Sequence, residues 1–341
     1  MKKGGLLTKN DIPWRKSGLY YHTLRHFFEG TFGFSVRKVT LDARFSCPNM
    51  DGTVGYGGCI FCDNMSFSPG RRLSFLSQRK NPPESQIDHY DFQYSLSSIR
   101  EQMQTAIAHF QKRDSAAKYI AYFQPGTNTY AHVDQLERLY RAAISEPEVV
   151  GLAIGTRADA LPEDVLDLLT DLSQETWLLL ELGLQSVHDK TLRFLNRGHD
   201  YQTFLETYQR LQTRKIKTGL HLILDIPGET NDDLSATAHE VSRLKPHSVK
   251  LHNLYVPKRT QLAEMYLSGQ IQLPTAEKYA GCVIDFLERL SPEIVIDRVV
   301  ADGFSSHTIA PSWYRNKNLV FNLIDAEFKR RNSFQGKHWQ E

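Results

Sequence analysis

No run of about 18 apolar residues occurs in the 341-residue chain, which excludes a helical membrane span. The basic opening, MKKGGLLTKNDIPWRK, is followed by no apolar stretch, so a secretory leader is not expected and the expected compartment is the cytoplasm. No internal repeat and no low-complexity tract is present, which excludes a repeat array. Cysteine is scarce, at four residues, and three of these fall within sixteen positions. That spacing does not suit a secreted disulfide framework; in a reducing compartment it points to metal binding or catalysis. Net charge is nearly absent, at +2. With 40% hydrophobic and 23% charged residues, the composition is that of a soluble globular protein of one large or two average domains.

The small net charge hides an asymmetry. Residues 1–38 carry eight Lys/Arg against two Asp/Glu, and residues 311–341 carry six against three. The two ends together hold +9 and the interior −7. Chance and solubility account for such a pattern as readily as function. The sharper reading is that the two ends lie together and hold a polyanion such as RNA.

From about residue 35 the chain alternates short β-branched apolar runs with longer helical patterns. Strands are expected at Val36–Asp42, Lys118–Gln124, Val149–Gly155, Trp177–Gly183, Thr218–Ile226 and Ser248–Tyr255. Each is a continuous apolar run, as in strands covered on both faces. Helices are expected near 95–112, 132–145, 162–174, 200–214 and 230–244, with start signals at Leu161-Pro162-Glu163-Asp164 and Thr230-Asn231-Asp232-Asp233. Six such units predict an α/β fold with a parallel sheet, either doubly wound or a partial (β/α)6 TIM-like barrel. The site then lies at the C-terminal strand ends. Those ends are polar: Gln124 to Asn128, Gly155 to Asp159, Glu181 to Ser186, His221 to Glu229, and His252 to Tyr255. Around this core of residues 35–256 stand a basic N-terminal arm (1–34, with a helix at Tyr20–Phe28) and a C-terminal α/β extension (257–341). The extension should hold helices near 275–290 and 317–331 and a strand at Ile294–Val300. Residues 64–94 read as a long polar loop or lid.

The cysteine stretch reads Cys47-Pro-Asn-Met-Asp-Gly-Thr-Val-Gly-Tyr-Gly-Gly-Cys59-Ile-Phe-Cys62 and begins just past the first strand. Five glycines or prolines mark a loop that bends around something. Two readings stand. Three thiolates can hold three irons of a four-iron cluster, leaving one iron open to the amino and carboxylate groups of S-adenosylmethionine. The other is a zinc knuckle, with Asp63, His89 or Cys282 as fourth ligand. Placement in the first βα loop of a large parallel sheet favours the cluster, and Cys282 sits in an apolar helical run that suits a core position.

The linked motifs resemble the radical S-adenosylmethionine superfamily, and within it the YtqA/YhcC-type proteins related to the catalytic subunit of elongator. The resemblance covers about residues 20–330. It rests on Lys38-Val-Thr-Leu-Asp42, Gly58-Cys-Ile-Phe-Cys62-Asp63, Tyr119 to Gln124 with Thr127-Asn128-Thr129-Tyr130, and Gly155-Thr-Arg157. It continues through Glu181-Leu-Gly-Leu-Gln185, Asn196-Arg-Gly-His-Asp200, His221-Leu-Ile-Leu, Pro227-Gly-Glu-Thr230, Lys250-Leu-His252, Ala310-Pro-Ser-Trp313 and Asn316-Lys317. The resemblance implies Cys47, Cys59 and Cys62 as ligands of a [4Fe-4S] cluster, with Phe61 and Ile223 against the adenine of S-adenosylmethionine. It implies Gln124, Thr127 and Asn128 at the methionyl amine, and Thr156, Arg157, Glu181 and Gln185 at the ribose and carboxylate. His221, Asp225, His252 and Tyr255 would face the substrate. Plainer readings stand beside these: an Arg157–Glu181 ion pair, His221 as a core histidine, and Asn196–Asp200 as a helix terminus.

Departures from the family pattern are Ala158 in Thr-Arg-Ala-Asp, Asp225 where glycine is common, Met50 where a basic residue is frequent, and Pro125-Gly126 before Thr127. None removes a cysteine. The resemblance further implies modification of the tRNA wobble uridine at carbon 5, without acetyl-CoA because the acetyltransferase domain of elongator is missing here. It also implies an electron donor such as flavodoxin or ferredoxin, and neither DNA nor a membrane as partner. Two alternatives remain open at this point: radical oxidation of a small molecule, as in porphyrinogen dehydrogenases, and a non-catalytic zinc-bearing RNA-binding protein.

Overall fold

The computed structural model describes residues 12–63, 92–301 and 307–340. Within them the alternation expected from the sequence is realised. The strands are β1 Val36–Leu41, β2 Lys118–Phe123, β3 Val149–Thr156, β4 Trp177–Gln185, β5 Thr218–Leu224 and β6 Ser248–Asn253. After α1 (Leu24–Phe32) come α2 Phe92–Gln111, α3 Val133–Ile144, α4 Glu163–Glu175, α5 Asp189–Phe194, α6 Tyr201–Thr213 and α7 Asn231–Leu244. The C-terminal part adds β7 Val256–Pro257, α8 Gln261–Leu267, α9 Ala276–Arg289, β8 Val295–Arg298, β9 Thr308–Ala310 and α10 Lys317–Arg330. In sheet order the parallel strands read β1-β2-β3-β4-β5-β6-β8, and β7 and β9 form a separate antiparallel pair. The strand expected in the C-terminal extension is β8, which pairs with β6 as a seventh parallel strand.

The apolar runs explain the strands. In β2 every residue after Lys118 is buried, and in β5 only His221 is not, as for strands covered on both faces. The helices start where the sequence marks them. Asp200 accepts the Thr203 N–H at 2.9 Å, and Thr230 and Asp233 form a reciprocal capping box on α7. Pro162 is the N-cap of α4, with Glu163 and Asp164 in its first turn beside the positive end of the dipole.

The chain divides into two compact units: residues 32–183 with 197–218, and residues 1–31 with 184–196 and 219–341. In the first, Leu41 pairs with Phe123, Phe123 with Ile154 and Gly155 with Glu181. Parallel pairing puts the segments after β1, β2 and β3 at one edge. In the second, Ile223 pairs with His252 and Lys250 with Arg298.

The N-terminal helix differs from expectation. It begins at Leu24 rather than Tyr20, because Tyr20–His22 are claimed by long-range pairing. Gln335 donates its N–H to the Tyr20 carbonyl at 2.9 Å, and Ile296 donates to the His22 carbonyl at 2.7 Å. Residues 1–11 of the arm lie outside the described residues, as do residues 64–91 of the 64–94 loop, His89 among them; residues 92–94 open α2.

Candidate active site

The cysteine loop is folded on itself by its own backbone. The Met50 N–H donates to the Cys47 carbonyl at 2.8 Å, Val54 to Pro48 at 2.8 Å, Gly58 to Asn49 at 2.8 Å, and Cys62 to Cys59 at 2.9 Å. The loop is tied to the end of β2 through Thr127, whose N–H donates to the Ser46 carbonyl at 3.1 Å. Gly126 makes that approach possible: it has φ +82°, and a Cβ there would lie 2.6 Å from the Phe45 carbonyl oxygen. Cys59 is buried, while Cys47 and Cys62 are half-buried, and none is in a disulfide. Burial, with Cys59 and Cys47 close by, pushes the Cys62 thiol up to about 12. The three sulfurs therefore share one region.

Two arginines face that region. Arg197 is 5% exposed. Its Nη1 donates to Cys59 Sγ at 3.3 Å, and its Nη2 donates to the Gly183 carbonyl at 2.6 Å and lies 3.2 Å from His199 Nε2. Asn49 Nδ2 reaches the same sulfur at 3.8 Å. Arg157 forms a two-point pair with Asp159 (2.8 and 2.7 Å), and its Nη2 donates to the Arg197 carbonyl at 2.7 Å. Burial opposes its charge, but Asp159 outweighs this, helped by Cys47 and Cys59, and holds the guanidinium above its ordinary value. Gly198 lets this loop meet the cysteine loop: a Cβ there would strike Asn49 Oδ1 at 2.5 Å.

Two atoms beside these groups are buried with no partner among the described residues: Arg157 Nη1, a donor, and Asn128 Oδ1, an acceptor. Asn128 is held by Nδ2 donating to the Gly155 carbonyl at 2.9 Å and by Tyr140, whose hydroxyl donates to the Asn128 carbonyl. Thr156 ends β3, with its hydroxyl 2.6 Å from that of Thr129. Gln124, half-buried, follows β2. Glu181 is engaged otherwise than the plain reading had it. Its carboxylate accepts from Lys38 Nζ at 2.7 Å and from Tyr122 Oη at 2.6 Å, and Arg157 pairs with Asp159 instead.

In the second unit, Gln185 ends β4 and Asp225 follows β5, with φ +72° and +55°. Left-handed backbone at a non-glycine residue is uncommon, and asparagine and aspartate adopt it most readily. This accounts for Asp225 where the family pattern has glycine. One Asp225 oxygen accepts from Lys278 at 2.9 Å; the other is buried without a partner among the described residues. Ile223 is 6% exposed. His221 packs its ring 5.4 Å from that of His252, whose two nitrogens each lie 3.0 Å from Arg298 Nη2. Tyr255 is buried and stacks on Tyr314 at 5.0 Å. Cys282 is buried within α9, away from any cysteine loop in sequence.

Among the described residues no three His, Cys, Asp or Glu side chains converge on a point where one metal ion fits. A tetrahedral zinc needs each sulfur at about 2.3 Å from one centre. A four-iron cluster takes one thiolate per iron and so wants the sulfurs further apart. Three thiols in one region, with Arg197 and Asn49 donating to Cys59 Sγ, are a donor set that fits a four-iron cluster.

A model of the radical SAM superfamily matches residues 56–241, and one of the radical SAM C-terminal domain matches residues 246–330. The chain belongs to the radical SAM superfamily. It is a radical SAM enzyme by that membership, and the family implies a four-iron cluster and S-adenosylmethionine. The chain is 35% identical over 335 residues to YtqA of Bacillus subtilis, covering 98% of each, and 36% identical over 290 residues to YhcC of Escherichia coli, covering 84% of this chain and 85% of that one. It is 28% identical over 183 residues to the tRNA uridine(34) acetyltransferase of Methanocaldococcus jannaschii, which is 50% of this chain and 33% of that one. Among solved structures, archaeal Elp3 from Methanocaldococcus infernus shares the fold with TM-score 0.62 at 16% identity, over 88% of this chain and 64% of that one. The expected α/β class with a partial barrel is thus the fold of this radical SAM chain. No helix among the described residues is long and apolar enough to cross a membrane.

Arg197, Asn49, Lys38 and Tyr122 were not singled out as site residues from the sequence. Arg197 lay in a quoted motif, but a buried arginine followed by a glycine reads locally as a helix end. Only the fold shows which sulfur it reaches.

Proposed function

We propose that this radical SAM enzyme modifies the carbon-5 side chain of the wobble uridine of tRNA. The observation that carries the reading is the 28% identity to the tRNA uridine(34) acetyltransferase over 183 residues, half of this chain.

In this reading Cys47, Cys59 and Cys62 hold the cluster. When reduced, the cluster supplies the electron that breaks a sulfur–carbon bond of S-adenosylmethionine and so generates the hydrogen-abstracting 5′-deoxyadenosyl radical. The residues of this chain bind and orient. Asn128 Oδ1 and Arg157 Nη1 are buried with no partner among the described residues, an acceptor for an ammonium and a donor for a carboxylate. Leaving either unmade costs about 1–3 kcal/mol, so a ligand carrying both groups recovers that cost on binding. Gln124 and Thr127 assist at the amine, and Thr156 and Gln185 at the ribose. Phe61 packs on the adenine. Glu181, held by Lys38 and Tyr122, acts by fixing the strand face rather than as a free ligand. His221, Asp225, His252 and Tyr255 face the substrate. The electron comes from a small carrier such as a flavodoxin or ferredoxin.

The test is a comparison of tRNA nucleosides by mass spectrometry from cells with and without the gene. Loss or truncation of one wobble-uridine side chain is expected. Identical wobble uridines in both would sink the reading and favour a small-molecule substrate.

A further inference from the structure

The two basic ends of the chain, some 300 residues apart in sequence, are packed together. Trp14 Nε1 donates to the Pro292 carbonyl at 2.9 Å, and Tyr20 stacks on Phe328 with ring centroids 4.9 Å apart and an interplanar angle of 2°. Gln335, fully buried, is the clamp. It donates its N–H to Tyr20, accepts the His22 N–H at 2.9 Å, and donates from Nε2 to the Ser291 and Ile294 carbonyls at 2.7 and 2.9 Å. Ile12, Trp14 and Phe334 form a small buried core beneath. Residues 12–31 are thus part of the folded second unit.

Residues 12–31 and 311–340 together hold nine Lys/Arg against three Asp/Glu. Some of that charge is spent locally. Arg25 pairs with Glu29, Arg330 and Arg331 with Glu327, and Arg331 also with Asp285. Five cations form no ion pair among the described residues: Arg15, Lys16, Arg315, Lys329 and Lys337. Arg15 lies over the Phe334 ring at 4.4 Å, and Lys337 Nζ donates to the Arg331 carbonyl at 3.0 Å. Lys16, Arg315 and Lys329 are exposed. Tyr20, Tyr21 and Trp339 are half-exposed, and the rings of Tyr20 and Tyr21 stack on buried Phe328. Exposed cations with no acidic partner are what a nucleic-acid backbone meets on its protein partners.

We propose that this seam of the two chain ends is the docking face for the phosphate backbone of the substrate RNA. The proposal rests on the tRNA reading and adds the surface that carries it.

The test uses the full chain with its cluster, bulk tRNA as the probe, and a salt series. The Lys16→Glu/Lys329→Glu variant is expected to bind tRNA several-fold more weakly, with the slope of log affinity against log salt reduced by about one to two. Cleavage of S-adenosylmethionine without RNA should be unchanged. The control reverses the exposed pair Lys112 and Arg113, which follows α2 in the other unit, and should bind like the parent. If the double variant binds as the parent does, or the control loses as much, the surface is wrong while the tRNA reading stands. If the parent binds no tRNA even at low salt, the tRNA reading falls and the proposal with it.

Discussion

Arg197 donates from Nη1 to Cys59 Sγ across 3.3 Å, from 138 positions further along the chain. A buried cation beside a thiolate offsets the cost of burying that negative charge, and hydrogen bonds to cysteine sulfur are among the determinants of cluster potential. Arg197→Gln removes the charge and keeps a polar side chain. The cluster of this variant is expected to titrate at a more negative potential, followed by electron paramagnetic resonance, with iron content retained. An unchanged potential would show that the contact does not act on the cluster.

Lys38 and Glu181 make a buried pair, with side chains 13% and 2% exposed and the Tyr122 hydroxyl on the second carboxylate oxygen. Breaking one partner leaves the other charge in the sheet interior, which costs about 3–5 kcal/mol. Glu181→Gln should lower the unfolding free energy from urea titration by that much, and Tyr122→Phe by about 1.5–3 kcal/mol for one donor to a carboxylate. Equal, small losses for both would mean that water reaches the pair.

His199 gives a pH dependence of known sign. Burial, then the Arg197 charge, push its pKa down to about 4 from the ordinary 6.5. The unfolded chain therefore holds a proton there that the folded chain does not, between about pH 6.5 and pH 4. Stability is level in this component above that window and falls as pH is lowered through it. In the cluster-free protein, urea midpoints at pH 7 and pH 5 should differ more for the parent than for His199→Gln. Parallel shifts in both would remove His199 from the account.

The cysteines divide into two kinds. Substituting Cys47, Cys59 or Cys62 by alanine should abolish stable iron binding after anaerobic reconstitution. Cys282→Ala should bind iron like the parent, since that thiol is buried in α9 and burial pushes its pKa up to about 11. Iron loss from Cys282→Ala alone would place it at the site.

The strands and the cysteine loop were legible because their signals are local. Continuous apolar runs mark strands covered on both faces, and glycine-rich bends mark the loop between Cys47 and Cys59. The start of α1 was misplaced because Tyr20 and His22 give their carbonyls to Gln335 and Ile296, a contact that no window of local sequence contains. Arg197 and Lys38 were missed as site residues for the same reason: their partners, Cys59 and Glu181, lie 138 and 143 positions away. Asp225 was visible as a departure from the family pattern, and its φ of +55° supplies the backbone reason. The charge asymmetry of the two ends was readable, but their packing through Gln335 was not.

The claim on which everything else depends is that the three cysteines hold a cluster that cleaves S-adenosylmethionine. The direct measurement is anaerobic reconstitution with iron and sulfide, followed by reduction in the presence of S-adenosylmethionine and assay of the products. The account requires uptake of about four irons per chain, as a [4Fe-4S] centre contains, and formation of 5′-deoxyadenosine. Stoichiometric zinc with no 5′-deoxyadenosine under any reductant would contradict it.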